Sequence, residues 1–252
     1  MEVLDGHAWL TMCDWGQIPH LDEDAKATLL ASYPPYQRDA RSKGIPSLGS
    51  GAIYKIPESD YVIPDIEIPP HWPRAYGLDV GWRVTAAIFG ALNRDTDTLY
   101  LYSEYYRKEA EPVIHAESIK ARGRWIVGAI DPAARGRGQT DGRNLLEMYR
   151  ELGLDLVTAE NSVETGIYEV LMRLSGGRLK IFRSLQNLLG EIRLYRRDEK
   201  GRVVKDNDHG VDAVRYLVME LLNICKTAPA KPAEREEDEW FSSGGLATSW
   251  MG

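Results

Sequence analysis

Ala75-Tyr76-Gly77-Leu78-Asp79-Val80-Gly81 is a short apolar run that ends on an aspartate, and the rest of the chain is read outward from it. A second run, Trp125-Ile126-Val127-Gly128-Ala129-Ile130-Asp131-Pro132, ends the same way. Short apolar runs bounded by Gly and Pro read as strands buried on both faces. A carboxylate at the tip of such a strand is costly unless its charge is compensated, and ligands of α/β sheets bind at strand ends. Two such tips can converge on one divalent cation. The plain alternative is that each Asp caps the turn that follows it. For one Asp alone the cap is the better reading; the pair, with a third acidic segment further on, favours the cation.

Around these runs the pattern predicts strands at 75–80, 85–92 and 98–106, with Asn93-Arg94-Asp95 in the first turn, forming an antiparallel meander. Helices are expected at 112–122, opened by Pro112, and at 141–152, 163–175, 185–192 and 208–225. Short strands are expected at 156–159 and 179–182, and a hairpin over 194–205 turns at Glu199-Lys200-Gly201. Hairpin strands followed by alternating strands and helices describe an α/β architecture: a mixed sheet with helices on both faces, the arrangement of the ribonuclease H-like fold. Residues 1–72 read as a leading segment with one helix at 22–32, and Ile56-Pro57 through Pro69-Pro70 reads as a connector running over a surface. The core domain spans 73–226, and residues 227–252 have the acidic, Pro- and Ser-rich composition of a disordered tail.

The formal net charge of −7 is unevenly placed. Residues 1–75 hold 11 acids and 6 bases and residues 231–252 hold 5 and 2, which leaves 22 acids and 23 bases between them. The middle also clusters its bases: Arg135, Arg137 and Arg143 follow Asp131, and Arg193, Arg196, Arg197, Lys200, Arg202 and Lys205 precede the last helix. Such clusters are either a solvated surface or, beside a carboxylate site, phosphate contacts. Two cysteines at unrelated spacing give neither a disulfide framework nor a metal site and suit a reducing compartment. No basic, apolar leader opens the chain and no stretch approaches the ~18 apolar residues of a membrane span. Of the seven tryptophans, Trp82, just after Asp79, is the candidate for a role other than core packing.

The third acidic segment is Asn207-Asp208-His209-Gly210-Val211-Asp212-Ala213-Val214-Arg215-Tyr216. Asp208 suits the N-cap of the last helix, where acids also favour the helix dipole. Asp212 lies one turn inside, beside the apolar stripe of Val211, Val214, Leu217, Val218 and Leu221. His209 and Asp212 are three residues apart, so their side chains share a side of the helix. A His and acids converging there can ligate a hard or borderline divalent ion. Mg²⁺ or Mn²⁺ takes oxygen ligands and keeps several waters, and two such ions ~3.5–4 Å apart suit phosphodiester cleavage.

With these three segments in hand, the chain resembles the nuclease domain of tailed-phage terminase large subunits, the DNA-packaging motors. Tyr33-Pro34-Pro35-Tyr36-Gln37-Arg38-Asp39-Ala40-Arg41-Ser42-Lys43-Gly44-Ile45-Pro46 is similar to the family's connector after its ATPase domain. The Asp-His-x-x-Asp-Ala-x-Arg-Tyr pattern is the specific part; Leu-Asp-x-Gly alone is weak. The resemblance implies an endonuclease that cuts concatemeric viral double-stranded DNA with Mg²⁺ or Mn²⁺, two ions per site, in the host cytoplasm. It implies metal ligation by Asp79 and Asp131, with a third ligand among Asp208, His209 and Asp212, and catalysis by Asp79, Asp131 and Asp212. Partners implied are DNA, an ATPase half, a small terminase subunit and a portal, and no membrane. The chain has no Gly-x-x-x-x-Gly-Lys-Ser/Thr, so it reads as the nuclease half without its ATPase.

Other classes compete. Asp79-Val80-Gly81-Trp82-Arg83-Val84-Thr85 resembles the first phosphate loop of actin-like ATPases and sugar kinases, although the Gly/Arg-rich 133–142 segment makes a poor second loop. Resolvases and transposases share the ribonuclease H-like pattern. A non-catalytic interaction module leaves the three acidic segments without a common reason.

Overall fold

The computed structural model describes residues 2–4, 8–10, 14–18, 21–33, 38, 41–44, 51–135, 144–160 and 162–229. A small antiparallel ladder pairs β1 (Glu2–Leu4) with β2 (Ala8–Leu10). The main sheet has seven strands: β3 (Val62–Ile63), β4 (Arg74–Asp79), β5 (Thr85–Asn93), β6 (Thr98–Arg107), β7 (Val127–Ile130), β8 (Leu156–Thr158) and β9 (Leu179–Phe182). Their spatial order is β3-β9-β6-β5-β4-β7-β8. The β4-β5-β6 meander is antiparallel, and β7, β8, β9 and β3 join it in parallel pairs. This is the mixed sheet that the order of elements predicts.

The helices among the described residues include α1 (Glu23–Ser32), α2 (Glu58–Tyr61), α3 (Pro112–Lys120), α4 (Leu145–Glu151), α5 (Val163–Ser175), α6 (Gln186–Leu194) and α7 (His209–Ile224). Strand parity sends alternate residues to opposite faces. On one face Ala75, Val127 and Ala129 pack with Val214, Leu217 and Leu221 of α7, Ile167 and Val170 of α5, and Leu188 of α6. On the other, Tyr76, Leu78, Phe89 and Ile130 pack with Ile119 of α3 and Leu146 and Tyr149 of α4. Helices therefore cover both faces, and both cores exclude water from the strands.

Gly77 belongs to the α7 face. A Cβ there would lie 1.8 Å from the carbonyl oxygen of Ala213. Only a residue without a side chain lets α7 rest this closely on β4, and the contact sets the helix one residue past Asp212 against the strand two residues before Asp79.

The structure departs from expectation most in the proline-rich stretch. Residues 56–70 do not merely cross a surface: Val62 and Ile63 pair in parallel with Ile181 and Phe182, and Tyr61 is buried in the core. Proline confines such a strand to a sheet edge, and two paired residues are too few to leave a periodic signal. Arg74 also exchanges backbone hydrogen bonds with Lys226, which ties the end of the domain to its first long strand. The 194–205 hairpin is present but slight, with one bridge between Arg197 and Val203 and a turn closed by Gly201 N–H on the Asp198 carbonyl; Leu194 ends α6 instead. Helix 141–152 begins at Leu145, with Asn144 as its cap, and residues 136–143 lie outside the described residues. The tail expected at 227–252 lies outside them from residue 230 onward.

Candidate metal centre

Asp79 is the last residue of β4, and Asp131 directly follows β7. The parallel register pairs Leu78 with Ile130, so the two aspartates are the next residues on neighbouring strands. Parity then directs both to the face covered by α7, the opposite of Leu78 and Ile130. Asp131 N–H donates to the Leu78 carbonyl at 3.2 Å, and its Oδ1 accepts from Ala133 N–H at 2.9 Å. Asp131 thus also makes the turn that the plain reading expects, with one carboxylate oxygen. Asp79 is buried, and desolvation lifts its pKa. His209 opposes that rise, and the nearby charges of Asp212 and Asp131 add to it.

The helix start supplies the other groups. His209 Nδ1 lies 2.8 Å from Asp79 Oδ2, so the imidazole meets a strand-tip acid directly. That hydrogen bond lifts the His209 pKa above its ordinary value against the effect of burial. Asp208 occupies the N-cap position of α7, but with φ −120° and ψ 13° its side chain makes no capping bond. Its buried Oδ2 has no hydrogen-bond partner. Asp212, buried one turn further on, is bracketed by cations: Lys205 Nζ is 2.7 Å from its Oδ2 and Arg215 Nε is 3.2 Å from its Oδ1. The Lys205 ammonium also forms an ion pair with Asp208 Oδ2 at 3.1 Å. The carboxylates hold that ammonium charged above its ordinary pKa although partial burial works against it.

Three residues here escape sequence reasoning. Lys205 reads as one base in a cluster, yet it faces the acids. Arg215 is 1% exposed and stacks over the Tyr216 ring at 4.5 Å; its i,i+3 spacing from Asp212 was the available signal. A Cβ on Gly166 of α5 would meet Arg215 Cγ at 2.3 Å, so the glycine makes the room for this guanidinium. Glu191, buried on α6, accepts from Tyr106 Oη and from the amides of Gly210 and Val211. Burial pushes its carboxyl up to about 7 despite those donors.

The basic residues expected on DNA divide. Arg197 pairs with Glu164 and Arg202 with Asp198, so both hairpin guanidiniums already have carboxylate partners. Lys205 serves the acidic cluster. Arg196 and Lys200 make no ion pair among the described residues. Arg137, Arg143 and the side chain of Arg135 lie outside the described residues. Trp82 is 68% exposed in the loop that follows Asp79.

A hard divalent ion suits these donors by type. The acids supply oxygens, the strand tips direct two of them to one face, and Asp208 has a buried oxygen without a hydrogen-bond partner. As placed, no three His, Cys, Asp or Glu side chains among the described residues close on one point. Lys205 pairs with both Asp208 and Asp212, so part of the charge the acids demand is met within the chain.

The sheet order and the helices on both of its faces define the ribonuclease H-like fold. The model of the terminase RNaseH-like domain matches residues 76–221, and the chain belongs to that family. The large terminase subunit of Enterobacteria phage LP7 is 32% identical over 208 residues, 79% of this chain and 44% of that protein. The chain spans less than half the length of the curated relatives it matches. Among solved structures, the large terminase nuclease domain of P22 is 30% identical with a TM-score of 0.65, covering 71% of this chain and 96% of that one. The large terminase nuclease of the thermophilic phage G20c, solved with bound magnesium, is 15% identical with a TM-score of 0.51 over 68% of this chain and 98% of that one, a likeness of fold. Membership sets aside the actin-like, sugar-kinase and resolvase or transposase readings. Among the described residues, no helix is long and apolar enough to cross a membrane.

Proposed function

We propose that this chain cleaves double-stranded DNA as a Mg²⁺- or Mn²⁺-dependent endonuclease, cutting concatemeric viral genomes during packaging. The observation that carries the proposal is the convergence of Asp79, Asp131 and the His209 end of α7 on one face of the sheet, with Asp79 and His209 in direct contact. Asp79 and Asp131 would hold the metal, joined by a third ligand from Asp212, His209 or Asp208. Bound divalent ions supply the charge that makes water nucleophilic and stabilises the leaving oxygen, with two ions per site as the working number.

The chain's own residues do the rest. His209 fixes the rotamer of Asp79 through its 2.8 Å contact, and Arg215 fixes Asp212 from the core side. Lys205 neutralises Asp212 and Asp208 until a metal takes that role. Arg196 and Lys200 at the hairpin, with the Arg135, Arg137 and Arg143 segment, would contact phosphates, which carry no sequence information. Residues 1–72 would correspond to the family's connector from its ATPase half. The small terminase subunit and the portal are the further partners in this reading, with the host cytoplasm as its site of action.

Plasmid DNA tests it. Purified chain with Mn²⁺ should nick and linearise plasmid with little sequence preference, stop with EDTA, weaken steeply with salt through counterion release, and turn over no ATP. Metal-dependent ATP hydrolysis, or cleavage unaffected by Asp79→Ala, would overturn the proposal.

A further inference from the structure

The start of α7 has an unusual division of labour. A helix leaves its first amide groups without intrahelical partners, and an Asp at the N-cap normally accepts from the second or third of them through its own carboxylate. Asp208 stands at that position and does not do so. The two amides it would take, those of Gly210 and Val211, donate instead to Glu191 Oε2 at 2.6 and 3.1 Å. Glu191 comes from α6, and its other oxygen is held by Tyr106 Oη of β6 at 2.7 Å. Gly210 makes the approach possible: a Cβ there would lie 2.9 Å from Glu191 Oε2.

We infer that Glu191 is a positioning residue that caps α7 in place of Asp208, and so frees the Asp208 carboxylate for the cation site. An Asp that caps its own helix has an oxygen committed to backbone amides. Asp208 instead keeps its carboxylate off the backbone amides, with Oδ2 ion-paired to the Lys205 ammonium at 3.1 Å, on the helix that carries His209 and Asp212. Glu191 also sets the position of that helix relative to β6 and α6. Its anchor to Tyr106 resists any slide of the helix start away from the strand tips.

The cation half of this inference rests on the proposed metal-dependent function; the capping half does not, which keeps the two separable. The experiment uses the full chain and measures Mn²⁺ affinity by calorimetry at one pH, and urea midpoints in EDTA. Glu191→Ala is expected to bind Mn²⁺ roughly 10- to 100-fold more weakly, with Glu191→Gln, which keeps an acceptor oxygen, restoring most of the loss. In EDTA, Asp208→Ala should leave the wild-type midpoint unchanged or raise it. In the Glu191→Ala background, where Asp208 can fall back on the amides, Asp208→Ala should lower it. Should Glu191→Ala fail to fold, Gly210→Ala decides: helix propensity alone predicts a stabilised protein with unchanged affinity, whereas displacing the Glu191 carboxylate predicts weaker Mn²⁺ binding. Asp208→Ala destabilising the wild type as much as the Glu191→Ala chain would overturn the capping role. Full Mn²⁺ affinity in Glu191→Ala or in Gly210→Ala would overturn the positioning role. A wild-type chain that binds no Mn²⁺ fails the proposed function, and the midpoints still judge the cap.

Discussion

The two halves of the acidic cluster are held in place by different physics. Asp79 and Asp131 end neighbouring strands, and a parallel register that aligns Leu78 with Ile130 brings them side by side. Backbone hydrogen bonds of the sheet do that work, and both side-chain directions follow from parity. Asp208, His209 and Asp212 ride instead on a helix start placed by contacts from elsewhere: Gly77 beneath Ala213, Glu191 on two amides, and Lys205 and Arg215 on Asp212. The strand tips should therefore tolerate loss of their side chains structurally, while the helix start should be sensitive to changes far from the acids in sequence.

The largest expected effect separates chemistry from folding at the strand tips. Asp79→Ala or Asp131→Ala should abolish plasmid cleavage while the chain still folds, since Asp79→Ala relieves a buried, desolvated carboxylate even as it gives up the His209 contact. A variant that cuts at the wild-type rate would remove its residue from the site. Gly77→Ala should do the opposite, costing about 3 kcal/mol or more as its new Cβ collides with the backbone of α7, toward the upper end of overpacking penalties. A midpoint close to wild type would mean that α7 does not depend on that contact.

The pH dependence of the metal-free chain comes next. His209 carries a pKa raised above 6.5, so its stabilising effect is complete below that value and lost as the pH rises through the folded one. Glu191 is raised from 4.5 to about 7, so the folded chain takes up a proton and stability falls as the pH climbs between those values. Each unit of displacement amounts to about 1.4 kcal/mol. In EDTA the urea midpoint should fall between about pH 5 and pH 8, with a shallower slope in Glu191→Gln. An identical slope in that variant would show Glu191 ionised across the range.

Smaller still is the effect of relieving the internal cation. Lys205→Met should lower the metal-free midpoint, since Asp208 and Asp212 lose their counter-charge, and raise Mn²⁺ affinity several-fold in calorimetry. Weaker Mn²⁺ binding would make Lys205 a partner of the metal instead of its competitor. Least of all, Arg197→Ala should cost no more than ~1 kcal/mol, as expected of a partly exposed ion pair. It should also alter the salt dependence of DNA binding less than Arg196→Ala with Lys200→Ala. The reverse order would mean that the Glu164 pair opens to meet phosphate.

Much of this was legible in the chain itself. Leu78-Asp79 and Ile130-Asp131 stand out because a buried strand is a continuous apolar run, and a carboxylate at its end breaks the pattern. The strands at 179–182 and the helix at 163–175 follow directly from periodicity and flanking glycines. Asp208, His209 and Asp212 were visible as a cluster because helical spacing of three and four residues is local. The sequence alone thus determined the order of elements from β4 onward, the two strand tips and the acidic helix start.

Tertiary structure alone decided which of these groups meet. Nothing in Gly190-Glu191-Ile192 distinguishes a surface glutamate from one buried against the amides of a helix 19 residues on. Lys205 belongs to a basic run in which Arg193, Arg197 and Arg202 pair with other carboxylates, and Val62-Ile63 is too short to announce a strand. Arg197 and Arg202 read as free charge until Glu164 and Asp198 are found opposite them. The physical reason is common to all: periodicity records which way a side chain points from its own element, whereas capping, charge pairing and edge pairing depend on which other element lies across from it.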